Sequence, residues 1–365
     1  MSVLPSLVFF PFLIAFTATA LLTPVSIRLL KRFGFIDDPK THKHPAIIHT
    51  KPIPRGGGIP IFAGALIAAI FFLPITKITI SIFLASLLAL TIGVIDDKLN
   101  ANGKDVSPLF RFLINILTAI IVVASGISIR FITDPFGGGI LHLDAIRIPL
   151  LIVPNYILLS DIVTVIWLVW IMNMLNWSKG VDGQMPGIVA ISAIVIGILS
   201  LRFISGDSSA YIDVKLSFII AGCALGFLIF NFHPAKIFPG YGATALYLLL
   251  GVASILSGAK LATAILVMGI PTVDAIFTIV RRIMQRQHPF VGDKKHLHHI
   301  LLRLNFSQRQ IALFYWTISA IFGIISLTLE SRNKIYVIIM LLTITVGALL
   351  FLHNVTRNDS NKNRS

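Results

Sequence analysis

The chain has 365 residues, of which 56% are hydrophobic and only 12% charged, with a formal net charge of +15. Soluble domains carry about 25% charged residues, so a water-driven globule is excluded and a polytopic membrane protein is expected. The one cysteine, Cys223, excludes a disulfide within the chain and a metal site built on thiolates.

Apolar runs of spanning length fall near 4–27, 57–75, 77–95, 108–128, 150–172, 186–204, 214–232, 242–258, 260–280, 311–329 and 335–353. They predict an all-α fold of about 11 transmembrane helices, each of ~20 residues. The runs make one integral membrane domain, 1–353, followed by a polar tail, 354–365, expected to be disordered. The first run has no basic segment before it and reads as a retained span rather than a cleaved signal. Most of the 30 Lys and Arg residues lie after the odd-numbered runs, including Arg28 and Arg111 at span edges. The other side holds only Lys77, Arg130, Arg147, Arg202, Lys215, Lys260, Arg332 and Lys334. The positive-inside rule then puts the N-terminus outside and the C-terminus in the cytoplasm, in a cell membrane. Cations confined to loops between apolar runs point to topology, membrane lipids and phosphate-bearing ligands, not to nucleic acid.

The polar exceptions fall on the cytoplasmic side of this topology. The first loop ends in KPIPRGGG, where Arg55 can grip a phosphate in a fork and glycines let backbone amides approach it. A turn with tight helix packing explains the glycines equally well. The third run leads into GVIDDKLNANGK, with Asp96 and Asp97 adjacent at the end of an apolar helix. Carboxylates there are costly unless they bind a cation or move protons, and with only 15 acids in the chain that reading outweighs an ordinary helix stop. The fifth run leads into NMLNWSKGVDGQMPG. Asn173 and Asn176, three apart, share a helix face, and Lys179 and Asp182 follow at a Gly turn. Helix–helix hydrogen bonding is the structural alternative for the asparagines. The seventh run ends in FNFHPAKIFPGYGAT, with Asn231, His233 and Lys236 at one level. The ninth carries Asp274 deep in an apolar stretch, a candidate by position. After it come Arg281, Arg282, Arg286, Lys294, Lys295 and the trio His296, His298, His299. The Arg and Lys alone fit a topology-setting loop. Three imidazoles add little to topology and fit a site that binds phosphate or moves a proton. A zinc site at HLHH is the weaker reading, since Asp293 is the one acid close by in the sequence.

Taken in order, PRGGG, GVIDD, NxxN…GVDG, FNFHPAKIF and PTVD…RR…HLHH resemble the bacterial polyprenyl-phosphate N-acetylhexosamine-1-phosphate transferases, relatives of the phospho-MurNAc-pentapeptide translocase. The resemblance covers essentially 1–353. PRGGG and HLHH follow the branch that starts O-antigen, teichoic acid and similar cell-wall glycans. It implies transfer of a sugar 1-phosphate from a UDP-amino sugar such as UDP-N-acetylglucosamine to polyprenyl (undecaprenyl) phosphate, releasing UMP, with Mg2+ or Mn2+ as cofactor. It implies Asp96 and Asp97 as the acidic catalytic pair and, with Asp182, as the metal set. It places Asn173, Asn176 and Asp182 at the nucleotide and metal, and His296, His298 and His299, with Arg281 and Arg282 nearby, at the diphosphate or sugar; Arg55, Lys179 and Lys236 join the substrate-binding set as cations within these motifs. A homo-oligomer is compatible with the sequence.

Two positions depart from the family pattern. Where the family has N-x-x-N-x-x-D-G-x-D-G, the first Asp is Lys179; where it has F-x-G-D-x-G-S, the Asp is Tyr241. A cation and a phenol thus replace two acids. A transferase with a rearranged centre, a non-catalytic relative that binds the same ligands, and a lipid-carrier transporter are the three readings. Transporters place broken helices and polar groups at mid-membrane, whereas the polar groups here gather at one end of the spans.

Overall fold

The computed structural model describes residues 4–40, 48–134, 139–149, 156–205, 209–256, 261–286 and 296–362, with side chains at 149, 156–157 and 352–362 left aside. Its helices are α1 (Phe10–Arg32, continued from a π-helical turn Pro5–Phe9), α2 (Gly58–Phe72), α3 (Lys77–Ala101), α4 (Pro108–Ala124), α5 (Leu159–Trp177), α6 (Gln184–Ser200) and α7 (Ser209–Asn231). They continue with α8 (Thr244–Leu256), α9 (Leu261–Val267), α10 (Gly269–Met284), α11 (Leu297–Arg303), α12 (Gln308–Thr328) and α13 (Ser331–Lys362). Three antiparallel ribbons of two short strands are the only sheet among the described residues.

Each apolar run thus contains a helix, and the chain is an all-α, multi-pass membrane protein. The expected count of 11 spans is not reached by length. Among the described residues seven helices are long and apolar enough to cross a bilayer, and α9 with α10 makes an eighth if the two form one span bent by 84°. α2, α4 and α8 are shorter. The ninth run breaks because Pro271, in the first turn of α10, has no N–H for the carbonyl of Val267. The fifth run begins later than its apolar start suggests: Tyr156–Leu158 form a strand against Arg147–Pro149, and the helix starts at Leu159. A short apolar run cannot distinguish strand from helix by periodicity.

The centre of the bundle is α6, α7 and α8, the last buried along nearly its whole length. Gly222 and Gly226 of α7, four residues apart, lie against α1. A Cβ on them would come within 2.3 Å of the Phe12 carbonyl and 2.5 Å of that of Phe16. This is the small-residue contact that lets helices approach in lipid, where no hydrophobic force draws them together. α3 runs to Ala101, well past the expected 95. Asp96 and Asp97 therefore lie within a helix and point about 100° apart. They do not face one ligand together.

Candidate active site

Arg55 ties the site together. It follows strand Ile53–Pro54 and faces the end of α3. Its Nε donates to Asp97 Oδ1 at 3.0 Å, and its Nη1 donates to Asp37 Oδ2 at 3.0 Å and Asn100 Oδ1 at 2.8 Å. A guanidinium suits this because its donors are fixed in a plane. Asp97 is fully buried. Besides Arg55 it accepts the backbone N–H of Tyr241 at 2.7 Å and of Gly242 at 3.3 Å. Asp96, equally buried, turns the other way and takes Arg111 of α4 at 3.1 Å on both oxygens.

The glycines of KPIPRGGG do not present amides to a ligand. Gly57 and Gly58 donate instead to the carbonyls of Phe238 and Pro239, both at 2.9 Å. Their role is close approach: a Cβ on Gly58 would lie 2.1 Å from the carbonyl carbon of Gly242. The first loop and the 238–243 turn are thereby pressed backbone to backbone, and Asp97 holds the turn from beneath.

α5 supplies the next wall. Asn176 donates to Thr244 Oγ1 at 2.7 Å, and its Oδ1 accepts from Lys179 Nζ at 2.8 Å. The same ammonium donates to the Gly240 carbonyl at 2.8 Å and stands 5.6 Å from the Tyr241 ring centre. Arg111 is 5.0 Å from that centre. Burial, and next the neighbouring Arg55, push the Lys179 ammonium down to about 7. Burial pushes the Tyr241 phenol up to about 12, so it stays neutral, and its oxygen accepts from Asn115 at 3.1 Å. Asp182 accepts from His233 Nδ1 at 2.7 Å and from the Ala235 N–H at 3.0 Å.

The three histidines close the far side. His296 caps α11, and its Nδ1 lies 2.8 Å from Asp274 Oδ2; a carboxylate only accepts, so Nδ1 carries the proton. Asp274 also accepts the Leu297 N–H at 2.9 Å, so this acid of α10 orients the trio. His298 stacks on His296 with centroids 5.6 Å apart and meets His299 at 4.3 Å. Burial, then His299 and His296, hold His298 well below the usual imidazole range, so it is neutral. Among the described residues its Nδ1 has no hydrogen-bond partner, the kind of buried polar atom a ligand completes.

These groups surround one cavity of about 330 Å³. Of the residues singled out by sequence, Arg55, Asn176, Lys179, Asp182, Asn231, His296, His298 and His299 line it. Asp96 and Asp97 stand behind its wall. Asn173 bonds back to the Val169 carbonyl at 2.8 Å, and Lys236 is exposed; neither lines the cavity. Arg281 and Arg282, in the last turn of α10, do not line it either. Lys294 and Lys295 lie outside the described residues. Asp37, His49, Asn100, Asp105 and Arg111 do line it, although their sequence pattern marks none of them as site residues.

The sequence profile described as Glycosyl transferase family 4 matches residues 79–258. Over 334 residues the chain is 30% identical to a Bacillus subtilis (strain 168) protein described as a probable undecaprenyl-phosphate N-acetylglucosaminyl 1-phosphate transferase, covering 88% of this chain and 85% of that one. The chain belongs to glycosyl transferase family 4. A decaprenyl-phosphate N-acetylglucosaminephosphotransferase of Mycobacterium tuberculosis (strain ATCC 25618 / H37Rv) is 31% identical over 81% of this chain and 76% of its own. An undecaprenyl-phosphate alpha-N-acetylglucosaminyl 1-phosphate transferase of Thermotoga maritima is 26% identical over 92% and 94%.

Against the Mg2+ site that resemblance to this transferase family implies, the residues do not fit. Asp96 is closed by Arg111, Asp97 by Arg55 and two amides, and Asp182 by His233 and an amide. The three acids do not converge, and no group of three or more His, Cys, Asp or Glu among the described residues is placed to hold a metal ion. The described residues offer no zinc set at the histidines either, and Asp293 lies outside them.

Gly180 separates Lys179 from the histidines. A Cβ there would lie 1.9 Å from His298 Nε2. In this member of glycosyl transferase family 4, Gly180→Ala is expected to turn the His298 ring out of its stack. The expected result is a loss of turnover of about tenfold, the scale of one misplaced hydrogen-bonding group, with the melting temperature little changed. Steady-state kinetics beside a thermal melt check this.

Proposed function

We propose that the protein transfers N-acetylglucosamine 1-phosphate from UDP-N-acetylglucosamine to a polyprenyl phosphate carrier, giving polyprenyl-diphospho-N-acetylglucosamine and UMP. The observation that carries the reading is the single cavity in which Arg55, Arg111 and Lys179 meet three histidines at one end of an apolar bundle. The relatives' names support the choice of sugar and carrier. Fixed cations suit a reaction in which both partners are phosphates. The spans give an isoprenoid tail an apolar place beside them.

In the step, an oxygen of the carrier phosphate attacks the β-phosphorus of the UDP-sugar. A new P–O–P bond forms, and the bond from the β-phosphorus to its bridging oxygen breaks. UMP leaves with that electron pair. No base is needed to make the nucleophile, since a phosphate monoester has a second pKa of about 6 and is largely dianionic at neutral pH. Asp97 is accordingly assigned a positioning role through Arg55 and the 238–243 turn. Lys179, Arg55 and Arg111 neutralise charge on the diphosphate. Neutral His298 and the Asp274-oriented His296 hydrogen-bond the phosphate or sugar. With the N-terminus outside, as the Lys and Arg distribution supports, the cavity faces the cytoplasm, where nucleotide sugars are made. The reaction is then the first membrane step of an envelope glycan.

The test is UMP release by the detergent-purified chain with polyprenyl phosphate and a panel of UDP-amino sugars. UMP that requires the lipid and is fastest with UDP-N-acetylglucosamine is the expected result. UMP formed at the same rate without lipid, or none with any sugar, contradicts it.

A further inference from the structure

We propose that the diphosphate-binding centre of this chain is built on a lysine instead of a divalent metal: Lys179, held by Asn176 and Gly240 beside Asp97, supplies the positive charge, and the site takes its nucleoside diphosphate sugar without Mg2+ or Mn2+. The inference rests on the transferase reading for the ligand's identity, and on this chain's own geometry for the rest.

Three observations carry it. First, the acids of the implied metal set are already engaged. A metal ion at Asp97 would have to displace Arg55 Nε and the amides of Tyr241 and Gly242. One at Asp96 would have to displace Arg111, which holds both oxygens, and the Val106 N–H at 3.1 Å. Second, a cation entering this pocket would stand beside two guanidiniums and an ammonium, while the carboxylates that line it are engaged, Asp37 with Arg55, Asp105 with Asn100 and Asp182 with His233. Third, Lys179 is held for use. An ammonium has three N–H groups; Asn176 Oδ1 and the Gly240 carbonyl take two, both at 2.8 Å, and the third remains for a ligand in the cavity that Lys179 lines.

Tyr241 completes the replacement. Its hydroxyl adds no charge, its ring borders both Lys179 and Arg111, and Asn115 holds its oxygen. Burial leaves the ammonium titrating near neutrality, so an arriving diphosphate favours its charged form. The centre is therefore poised to gain charge with its ligand, which a metal ion would bring from outside.

The experiment uses the full chain in detergent and UDP as the probe. Its binding is measured calorimetrically in EDTA, in Mg2+ and in Mn2+, and lipid-dependent UMP formation is followed in the same three buffers. The inference expects the same UDP affinity in all three. It expects Lys179→Met, of similar length and uncharged, to lose about tenfold to a hundredfold in affinity, as for one hydrogen bond to a charged group. A thermal melt reports whether that variant folds; if it does not, the unmodified protein in EDTA decides alone. UDP binding or UMP formation that appears only with a divalent ion overturns the inference and leaves the transferase reading standing. Equal UDP binding in EDTA with no UMP in any buffer keeps the lysine centre and removes the transfer reading. No UDP binding in any buffer removes both.

Discussion

Asp97→Asn is expected to lower turnover by about a hundredfold or more. The substitution keeps the shape of the side chain but takes the counter-charge from Arg55 and weakens the hold on the Tyr241 and Gly242 amides. Breaking a buried pair by removing one partner costs about 3–5 kcal/mol, and every ~1.4 kcal/mol is a factor of ten. The effect should fall on both substrates, because Arg55 also fixes Asp37 and Asn100 on the cavity wall. Arg55→Lys should fare little better than Arg55→Ala: an ammonium is a point charge and cannot span the two carboxylates and the amide in one plane. Kinetics on the purified variants, with melting temperatures beside them, check this. An Asp97→Asn protein with unchanged turnover would show that Arg55 keeps its place without the carboxylate.

Gly58→Ala should be nearly as damaging for a different reason. The added Cβ would meet the Gly242 carbonyl carbon at 2.1 Å, the Ala243 nitrogen at 2.5 Å and the Gly242 oxygen at 2.5 Å, all backbone atoms. No rotamer relieves that contact, so α2 or the 238–243 turn must move, and overpacking of this kind costs about 1–3 kcal/mol. The turn carries the Gly240 carbonyl that holds Lys179. Turnover should therefore fall with the melting temperature, by a lower kcat as well as a higher KM. Gly347→Ala, with nothing within 4 Å of the added carbon, is the matching control and should change neither. Equal behaviour of the two variants would mean that the turn gives way easily.

The architecture was largely legible in the sequence because hydropathy over ~20 residues marks a helix in lipid, and each apolar run does contain one. Composition does not register a break inside an apolar run. The bend between α9 and α10 turns on a single proline, and the late start of α5 on a strand as apolar as a helix. The site was legible by residue type more than by role. Arg55, Asn176, Lys179, Asp182 and the histidines line one cavity. Asp96 and Asp97 face different partners, because the helix continues through them and turns them apart. Asn173 faces away although it lies one helical turn before Asn176. Asp37 sits in a strand of two residues and His49 and Asp105 in loops, all too short or irregular to show a period, and they are gathered by contacts that span many residues, such as Asp37 with Arg55. Arg111 enters a sequence reading only as a topology-setting cation, yet it closes Asp96. The glycines were legible as glycines, but whether they face a phosphate or a neighbouring backbone depends on the turn at 238–243, which lies far along the chain.

The measurement that tests the account most directly follows the β-phosphorus. UDP-N-acetylglucosamine labelled at that atom is incubated with the purified chain and polyprenyl phosphate, and the label is partitioned between lipid and water. Transfer of the sugar 1-phosphate predicts label in the lipid fraction, in step with unlabelled UMP in the aqueous one. Label that stays in the water as UDP, with the sugar alone in the lipid, or as free N-acetylglucosamine 1-phosphate, would contradict it.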